Sequence, residues 1–151
     1  VGAVVSVCDS MNYLMDPGEL LQVFRLVNNY LDPEGVFLFD MKTPALYSEI
    51  LGDRTFAQNS GDCSYIWENA WYPAERVNEY CLTLFVRNRQ GLYERFEETH
   101  YQRAYEVQEV QGLLAKAGMI PESVYDGCTG GEPDGGSERV LFVAREHGKR
   151  P

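Results

Sequence analysis

Residues 4–40 read VVSVCDSMNYLMDPGELLQVFRLVNNYLDPEGVFLFD, and this stretch decides the fold class. Its two apolar runs, 4–8 and 36–39, are short and nearly continuous, which is typical of strands buried on both faces of a parallel sheet. The segment between them predicts a helix that begins after the capping residue Asp16, because proline suits the first helical position and apolar residues then recur at helical spacing. The order strand–helix–strand predicts a parallel crossover of an α/β fold.

The apolar run 4–8 begins close to the first residue of the chain. An interior strand needs a neighbour on each side. We therefore expect further strands of the same sheet to precede this one, and we interpret the chain as the C-terminal part of a longer α/β domain.

Beyond residue 44 the pattern changes to strands alone. Residues 45–60 are predicted as a mixed connection with a short helix around Leu46–Leu51. Alternating apolar and polar residues then predict three strands that form an antiparallel meander, with a hairpin at Asn88-Arg89-Gln90-Gly91. These strands are predicted over 64–71, 77–88 and 92–105.

The α/β pattern resumes after the meander. Helical spacing from Val107 to Ala117 predicts a helix that ends at Gly118, and two strands follow at 120–125 and 138–145. The prediction is an α/β fold with a partial Rossmann-like sheet and an inserted three-stranded antiparallel meander. The predicted division is 1–44 with 106–147 for the α/β part, 45–105 for the insert and 148–151 for a tail.

Composition narrows the class of function. The chain has 151 residues and a net charge of −10, which disfavours a nucleic-acid partner because phosphate binding needs clustered Lys and Arg. No apolar run approaches the roughly 20 residues of a membrane span. The four cysteines form no C-x-x-C pair and only two histidines occur, so no metal site is predicted. Reduced thiols indicate a cytoplasmic protein.

Residues 7–14, Val-Cys-Asp-Ser-Met-Asn-Tyr-Leu, resemble the segment at the end of the fourth strand in bacterial class I S-adenosylmethionine (SAM)-dependent methyltransferases. The resemblance continues in the same order through 30–40, Ser-Tyr-Ile-Trp at 64–67, Glu-Thr-His-Tyr-Gln-Arg-Ala-Tyr at 98–105 and the closing strand at 137–144. It covers nearly the whole chain. It implies the C-terminal part of such an enzyme, with SAM as cofactor and a small molecule as methyl acceptor.

The same resemblance implies a part that this sequence lacks. In these enzymes a glycine-rich loop after the first strand lets the backbone approach the cofactor, and an acidic residue after the second strand holds the ribose. The glycine cluster at 127–136 lies between two late strands and opens no helix, so we interpret it as a flexible loop. We therefore expect an incomplete enzyme without its N-terminal cofactor-binding half.

Ligands in open α/β sheets bind beyond the carboxyl ends of the strands. By the resemblance, the backbone that follows the first strand lies near the methionine part of SAM, and Asn12 and Tyr13 lie near the position of methyl transfer. Structural alternatives are that Asp9 or Ser10 only caps the following turn and that Tyr13 belongs to the core. The predicted cofactor-binding residues are Cys8, Asp9 and Ser10.

The insert supplies aromatic residues that are expected to line the acceptor pocket, where a π face also favours a sulfonium cation. Tyr13 and His100 are predicted as catalytic residues, although a lone strand histidine more often has a structural role or is exposed. Trp67 is either pocket wall or meander core, and Arg103 either binds an acidic acceptor or pairs with a carboxylate. The predicted substrate-binding residues are Asn12, Asp40, Trp67, Tyr101, Arg103 and Tyr105.

Two other interpretations stay open. The chain could be a non-catalytic self-association module, either through pairing of the strand edge at 4–8 with another chain or through exchange of the insert. Both routes predict a homodimer or a higher assembly. The chain could also be an unrelated α/β binding domain with a coincidental insert.

Overall fold

The computed structural model describes residues 1–149, which form two four-stranded sheets and two α-helices. The first sheet has the strand order β1-β2-β8-β7 and the second β3-β4-β5-β6. The helices are α1 (Pro17–Tyr30) and α2 (Val107–Lys116). The strands are β1 (Ala3–Ser6), β2 (Val36–Lys42), β3 (Thr55–Ser60), β4 (Cys63–Tyr72), β5 (Val77–Arg87), β6 (Tyr93–Arg103), β7 (Met119–Asp126) and β8 (Arg139–Glu146).

The β1–α1–β2 unit forms as predicted. The Asp16 carboxylate accepts hydrogen bonds from the backbone N–H groups of Gly18 at 2.7 Å and Glu19 at 3.3 Å, which satisfies two donors that a helix start leaves free. β1 pairs in parallel with β2, with Ala3 opposite Val36. The predicted parallel crossover is therefore confirmed.

The main core lies between the helices and one face of the first sheet. The rings of Phe37 and Phe39 stack with centroids 4.6 Å apart, and Phe39 stacks on Phe142 of β8 at 4.9 Å. Phe24 of α1 packs against Phe39 at 5.2 Å. All four rings are buried, and each such pair adds about 0.5–1.5 kcal/mol beyond the area that it buries. The alternation of β2 and β8 thus fixes which face carries the helices.

Strand β1 lies at the edge of the first sheet. Among residues 1–149 it pairs with β2 alone, and Val5 and Val7 are 63% and 56% exposed. Within residues 1–149 this strand has the exposed edge that is expected when no preceding strand of the sheet is present, and its burial on both faces in a longer domain stays a prediction. The physical reason for the exposure is that a strand with one free edge and an uncovered face leaves alternate side chains in solvent.

The second sheet is antiparallel throughout and lies within residues 45–105. The predicted class, α/β with an antiparallel insert, is confirmed, but the insert has four strands where the sequence analysis predicted three. The missed strand, β3, is mostly polar and exposed, so it shows little of the alternation that reveals a half-buried strand. A two-residue turn joins it to β4, with Gly61 at φ +55.

Other local predictions also have a structural outcome. Leu46–Leu51 forms a short helix of π type, and Gly118 follows α2 at φ +85. The glycine-rich loop joins the antiparallel strands β7 and β8 and opens no helix. Of the predicted tail at 148–151, residues 150–151 lie outside the described residues.

Residues 1–149 contain neither a membrane-spanning helix nor a cluster of metal-ligating side chains. No helix there is long and apolar enough to cross a membrane, and no three side chains of the metal-ligating types come together as a group. All four cysteines fall within this range and none forms a disulfide.

Candidate functional site

A buried charged network lies at the carboxyl end of β1. Asp9 is 8% exposed, and its carboxylate accepts from Gln102 Nε2 at 2.7 Å, from Arg139 at 2.9 Å and from Lys42 Nζ at 3.1 Å. Burial by itself raises the pKa of Asp9, but the hydrogen bonds from Gln102 and Arg139 and the charge of Lys42 outweigh it and lower that pKa. Asp9 is therefore ionised at neutral pH.

The topology of the first sheet explains why these residues meet. β8 runs antiparallel to β2, so Arg139 at the start of β8 lies opposite Lys42 at the end of β2. Asp40 lies two residues earlier on the same face of β2. Its carboxylate accepts from the backbone N–H of Asp9 at 3.0 Å and from the Arg139 guanidinium. Two carboxylates and two cations, from two strands and the turn after β1, thus neutralise one another at one end of the sheet.

The turn after β1 has an unusual backbone. Cys8 and Asp9 have φ values of +64 and +52, in the left-handed region, where a residue other than glycine costs on the order of 1 kcal/mol or more. The Asp9 carbonyl accepts from Asn12 N–H at 3.0 Å, and the network holds its side chain. Cys8 and Ser10 remain exposed. The turn therefore presents Cys8 and Ser10 to solvent, while Asp9 anchors it.

Asn12 joins the first sheet to the insert. Its side chain is fully buried, and its amide donates to the Lys42 carbonyl at 3.1 Å and the Arg103 carbonyl at 2.9 Å. Its amide oxygen accepts from Lys42 N–H at 3.0 Å. Tyr105 is 4% exposed, and its hydroxyl donates to the Leu14 carbonyl. Both side chains are engaged within the protein.

The side chains of two further predicted substrate residues, Arg103 and Tyr101, contact carboxylates of the protein. The Arg103 guanidinium sits 5.2 Å from the Tyr105 ring and 3.8 Å from the Glu109 carboxylate, which matches the alternative that it pairs with an acidic side chain. Tyr101 donates to Glu79 at 3.3 Å. Because it follows His100 along β6, Tyr101 lies on the opposite face of the second sheet.

An aromatic face forms where the β1 turn meets the second sheet, and we define it by Tyr13, His100, Tyr80, Trp67 and Phe56. Successive ring centroids along this series are separated by 5.9, 4.9, 5.5 and 5.1 Å. Tyr13 is 43% exposed. Its hydroxyl lies 2.6 Å from the Tyr80 hydroxyl and 3.1 Å from His100 Nδ1. This geometry brings a phenol and an imidazole together beside an exposed turn, where they could accept a proton from a bound molecule.

The structure therefore gathers only some of the residues predicted for the site. Cys8, Ser10 and Tyr13 lie on one turn, and His100 of the insert contacts Tyr13. Trp67 instead packs beside Tyr80 and against the buried cluster around Tyr47. Sequence reasoning missed five polar residues of the network and the aromatic face. No local sequence signal pointed to them, because their contacts depend on the pairing of β2 with β8 and on the docking of the two sheets. The missed residues are Lys42, Gln102 and Arg139 in the charged network, Tyr80 in the aromatic face, and Glu98, whose carboxylate lies 3.2 Å from His100 Nε2.

Comparison with known proteins gives the class: over the part that it spans, the chain has the fold of class I SAM-dependent methyltransferases. No family model matches it. In sequence it is 37% identical over 144 residues to “Putative methyltransferase YqeM” of Bacillus subtilis (strain 168), which covers 95% of this chain and 58% of that protein. “Putative methyltransferase GWCH70_2453” of Geobacillus sp. (strain WCH70) is 36% identical over 141 residues, covering 92% of this chain and 56% of the relative.

A solved structure supports the same class. The chain superposes on a SAM-dependent methyltransferase from Clostridium acetobutylicum with a TM-score of 0.89 and 26% identity, covering 97% of this chain and 58% of that protein. The resemblance identified in the sequence is thereby confirmed. The chain spans a little over half the length of each of these three proteins.

Proposed function

We propose that this chain provides the methyl-acceptor side of a SAM-dependent methyltransferase that acts on a small molecule. The observation that carries the proposal is the contact of Tyr13 with His100 and Tyr80, which places proton-accepting groups beside the exposed turn that ends β1. Ligands bind at this edge of an open α/β sheet. The methyltransferases that share the fold support SAM as the cofactor.

The residues at the end of β1 fit one end of SAM. Cys8 and Ser10 are exposed, and the neighbouring aromatic rings offer π faces that favour a cationic sulfonium. When bound, SAM supplies an electrophilic methyl group. Asp9 does not contact the cofactor directly in this proposal, because its carboxylate is already engaged by three donors. We assign the adenosine contacts to the part of the relatives that this chain does not match.

The work of this chain is to orient the acceptor and to remove its proton. Holding the nucleophile in line with the methyl carbon lowers the activation free energy, because translational and rotational entropy is lost on binding and not in the chemical step. Tyr13 and His100 then take the proton that a hydroxyl or amine loses. Trp67 and Phe56 form the wall against which the acceptor packs.

Calorimetric titration of SAM and its demethylated product tests the cofactor part of the proposal. The protein is expressed from its complete gene, and Cys8→Trp is compared with Cys128→Trp, since both cysteines are exposed. We expect micromolar binding in the parent protein, at least about tenfold weaker binding in Cys8→Trp because the indole occupies the turn, and unchanged binding in Cys128→Trp. No binding in the parent protein, or equal binding in both variants, contradicts the proposal.

Self-association is a second candidate, favoured by a specific observation. β1 has an unpaired edge within residues 1–149, and Val5 and Val7 beside it are more than half exposed. Such an edge can pair with a strand of a second copy. Sedimentation of the 151-residue chain tests this. The proposal expects a dimer that dissociates in Val5→Lys but persists in the control Leu26→Lys, which changes an exposed residue of α1. A monomer at all concentrations contradicts it.

The remaining proposals concern the setting of the protein. We place it in the cytoplasm, since four unbonded cysteines are typical of a reducing compartment. We propose no nucleic-acid partner and no membrane partner, because a net charge of −10 repels phosphate-rich surfaces.

A further inference from the structure

The hydroxyl of Tyr13 is the point where polar groups of the two sheets converge. It lies 2.6 Å from the Tyr80 hydroxyl and 3.1 Å from Nδ1 of His100. Tyr80 and His100 are opposite each other in the β5–β6 register, and their rings stack at 4.9 Å with an interplanar angle of 20°. The second sheet thus holds a phenol and an imidazole at fixed positions around one phenol oxygen.

The other nitrogen of His100 contacts a carboxylate. Nε2 lies 3.2 Å from Oε2 of Glu98, which is two residues earlier and on the same face of β6. A carboxylate can only accept a hydrogen bond, so Nε2 carries the hydrogen. In the neutral ring Nδ1 is then the acceptor, and the Tyr13 hydroxyl must donate to it.

This assignment fixes the remaining hydrogen bond as well. Because the Tyr13 hydrogen points to His100, the Tyr13 oxygen accepts from the Tyr80 hydroxyl. Burial first, and then the hydrogen bond to Tyr13, raise the pKa of Tyr80, so Tyr80 keeps its proton at physiological pH. All three hydrogen bonds therefore run in one direction, from Tyr80 through Tyr13 and His100 to Glu98.

We propose that Glu98 and Tyr80 are positioning residues that set the direction of a proton path from Tyr13 to His100, and that the methyl acceptor is a hydroxyl or an amine that still carries a proton. The inference rests on the proposed methyl transfer. Glu98 holds His100 in the tautomer that can accept a proton at Nδ1. Tyr80 donates to the Tyr13 oxygen and stabilises the negative charge that develops there.

The proton path balances the reaction. A lone pair of the acceptor atom bonds to the methyl carbon, and the electron pair of the carbon–sulfur bond stays on sulfur. The proton that the acceptor loses passes to the Tyr13 oxygen while the Tyr13 proton passes to His100 Nδ1. One positive charge leaves sulfur and one appears on the imidazole, beside the Glu98 carboxylate. An acceptor without a proton to lose, such as a thioether, would not need this path.

Nitrogen-15 NMR of the histidine rings tests the path without any turnover. In the protein expressed from its complete gene, Glu98→Ala is the test variant and Glu97→Ala is its control. Glu97 neighbours Glu98 on β6 and is about as exposed, but it faces the opposite side of the sheet. We expect the Nε2–H tautomer of His100 to dominate in the parent protein and in Glu97→Ala. Glu98→Ala should shift the tautomer ratio at least about twofold towards Nδ1–H, and Glu98→Gln should restore it because the amide oxygen still accepts.

Methyltransferase activity, measured with a hydroxyl or amine compound that the protein methylates, provides the second readout. Tyr80→Phe is expected to lower kcat about tenfold with an unchanged KM for SAM, whereas Tyr93→Phe, at an exposed position on the other face of β6, leaves both unchanged. A dominant Nδ1–H tautomer in the parent protein, or the same ratio in Glu98→Ala, overturns the inference even if methyl transfer occurs. If no acceptor is methylated, the proposed function fails, and the tautomer result still decides the roles of Glu98 and His100.

Discussion

Replacing Asp9 by asparagine removes the buried negative charge on which the polar network at the end of β1 depends. The change keeps the size of the side chain and one acceptor oxygen, which Gln102 can still reach. It leaves Arg139 paired with Asp40 and removes the carboxylate with which Lys42 forms its ion pair. The variant therefore tests charge, with little change in packing.

The expected cost follows from burial. Removing one partner of a buried ion pair costs about 3–5 kcal/mol. The Lys42 and Arg139 side chains remain 15% and 30% exposed, and Asp40 still pairs with Arg139, so we expect the lower end, about 3 kcal/mol at pH 7. The exposed pair of Asp62 and Arg87 has side chains 74% and 51% exposed. Asp62→Asn should thus cost at most about 1 kcal/mol.

The loss of stability caused by Asp9→Asn must also become smaller as the pH falls. The pKa of Asp9 is lower in the folded protein than its ordinary value of 3.8. Its contribution to the free energy of unfolding is therefore fully present above pH 3.8 and is lost as the pH falls through the folded-state pKa. The difference between the parent protein and Asp9→Asn should shrink over that window.

Urea denaturation at several pH values between 7 and 3 measures both quantities. A free-energy difference for Asp9→Asn as small as that of Asp62→Asn would refute the argument from burial. A difference that persists unchanged below pH 3.8 would refute the argument from ionisation. Equal slopes with urea for all three proteins are required for the comparison.

Two further predictions concern the parts that hold the site in place. Phe142→Ala removes a ring that is 1% exposed and stacked on Phe39, and should lower the free energy of unfolding, measured in urea, by about 3–5 kcal/mol. The control Phe96→Ala removes a ring that is 49% exposed and should change it by less than about 0.5 kcal/mol. Similar losses in the two variants would contradict the assigned core. Asp16→Ala removes the cap of α1 and should cost about 1 kcal/mol, seen as a lower Tm, and a Tm equal to that of the parent protein would show that the cap is dispensable.

The prediction of the fold depended on local patterns. Asp16 followed by proline marked the start of α1, and the apolar run at 36–39 marked β2 as a strand, because both signals come from neighbours within one element. β3 escaped because its polar, exposed residues carry no such signal. The apolar run at 4–8 predicted a strand with a neighbour on each side, but such a run does not reveal whether both neighbours are present, so burial of β1 in a longer domain stays a prediction.

The sequence alone determined the α/β class, the insert and the resemblance that the comparisons confirmed. Only the tertiary structure decided which side chains meet at the end of β1. Tyr13 and Tyr80 are 67 residues apart, and their contact depends on how the second sheet docks on the first. Asp9 and Arg139 are 130 residues apart, and their contact depends on the strand order of the first sheet. No periodicity encodes that docking, since packing across elements chooses partners by shape and charge in three dimensions.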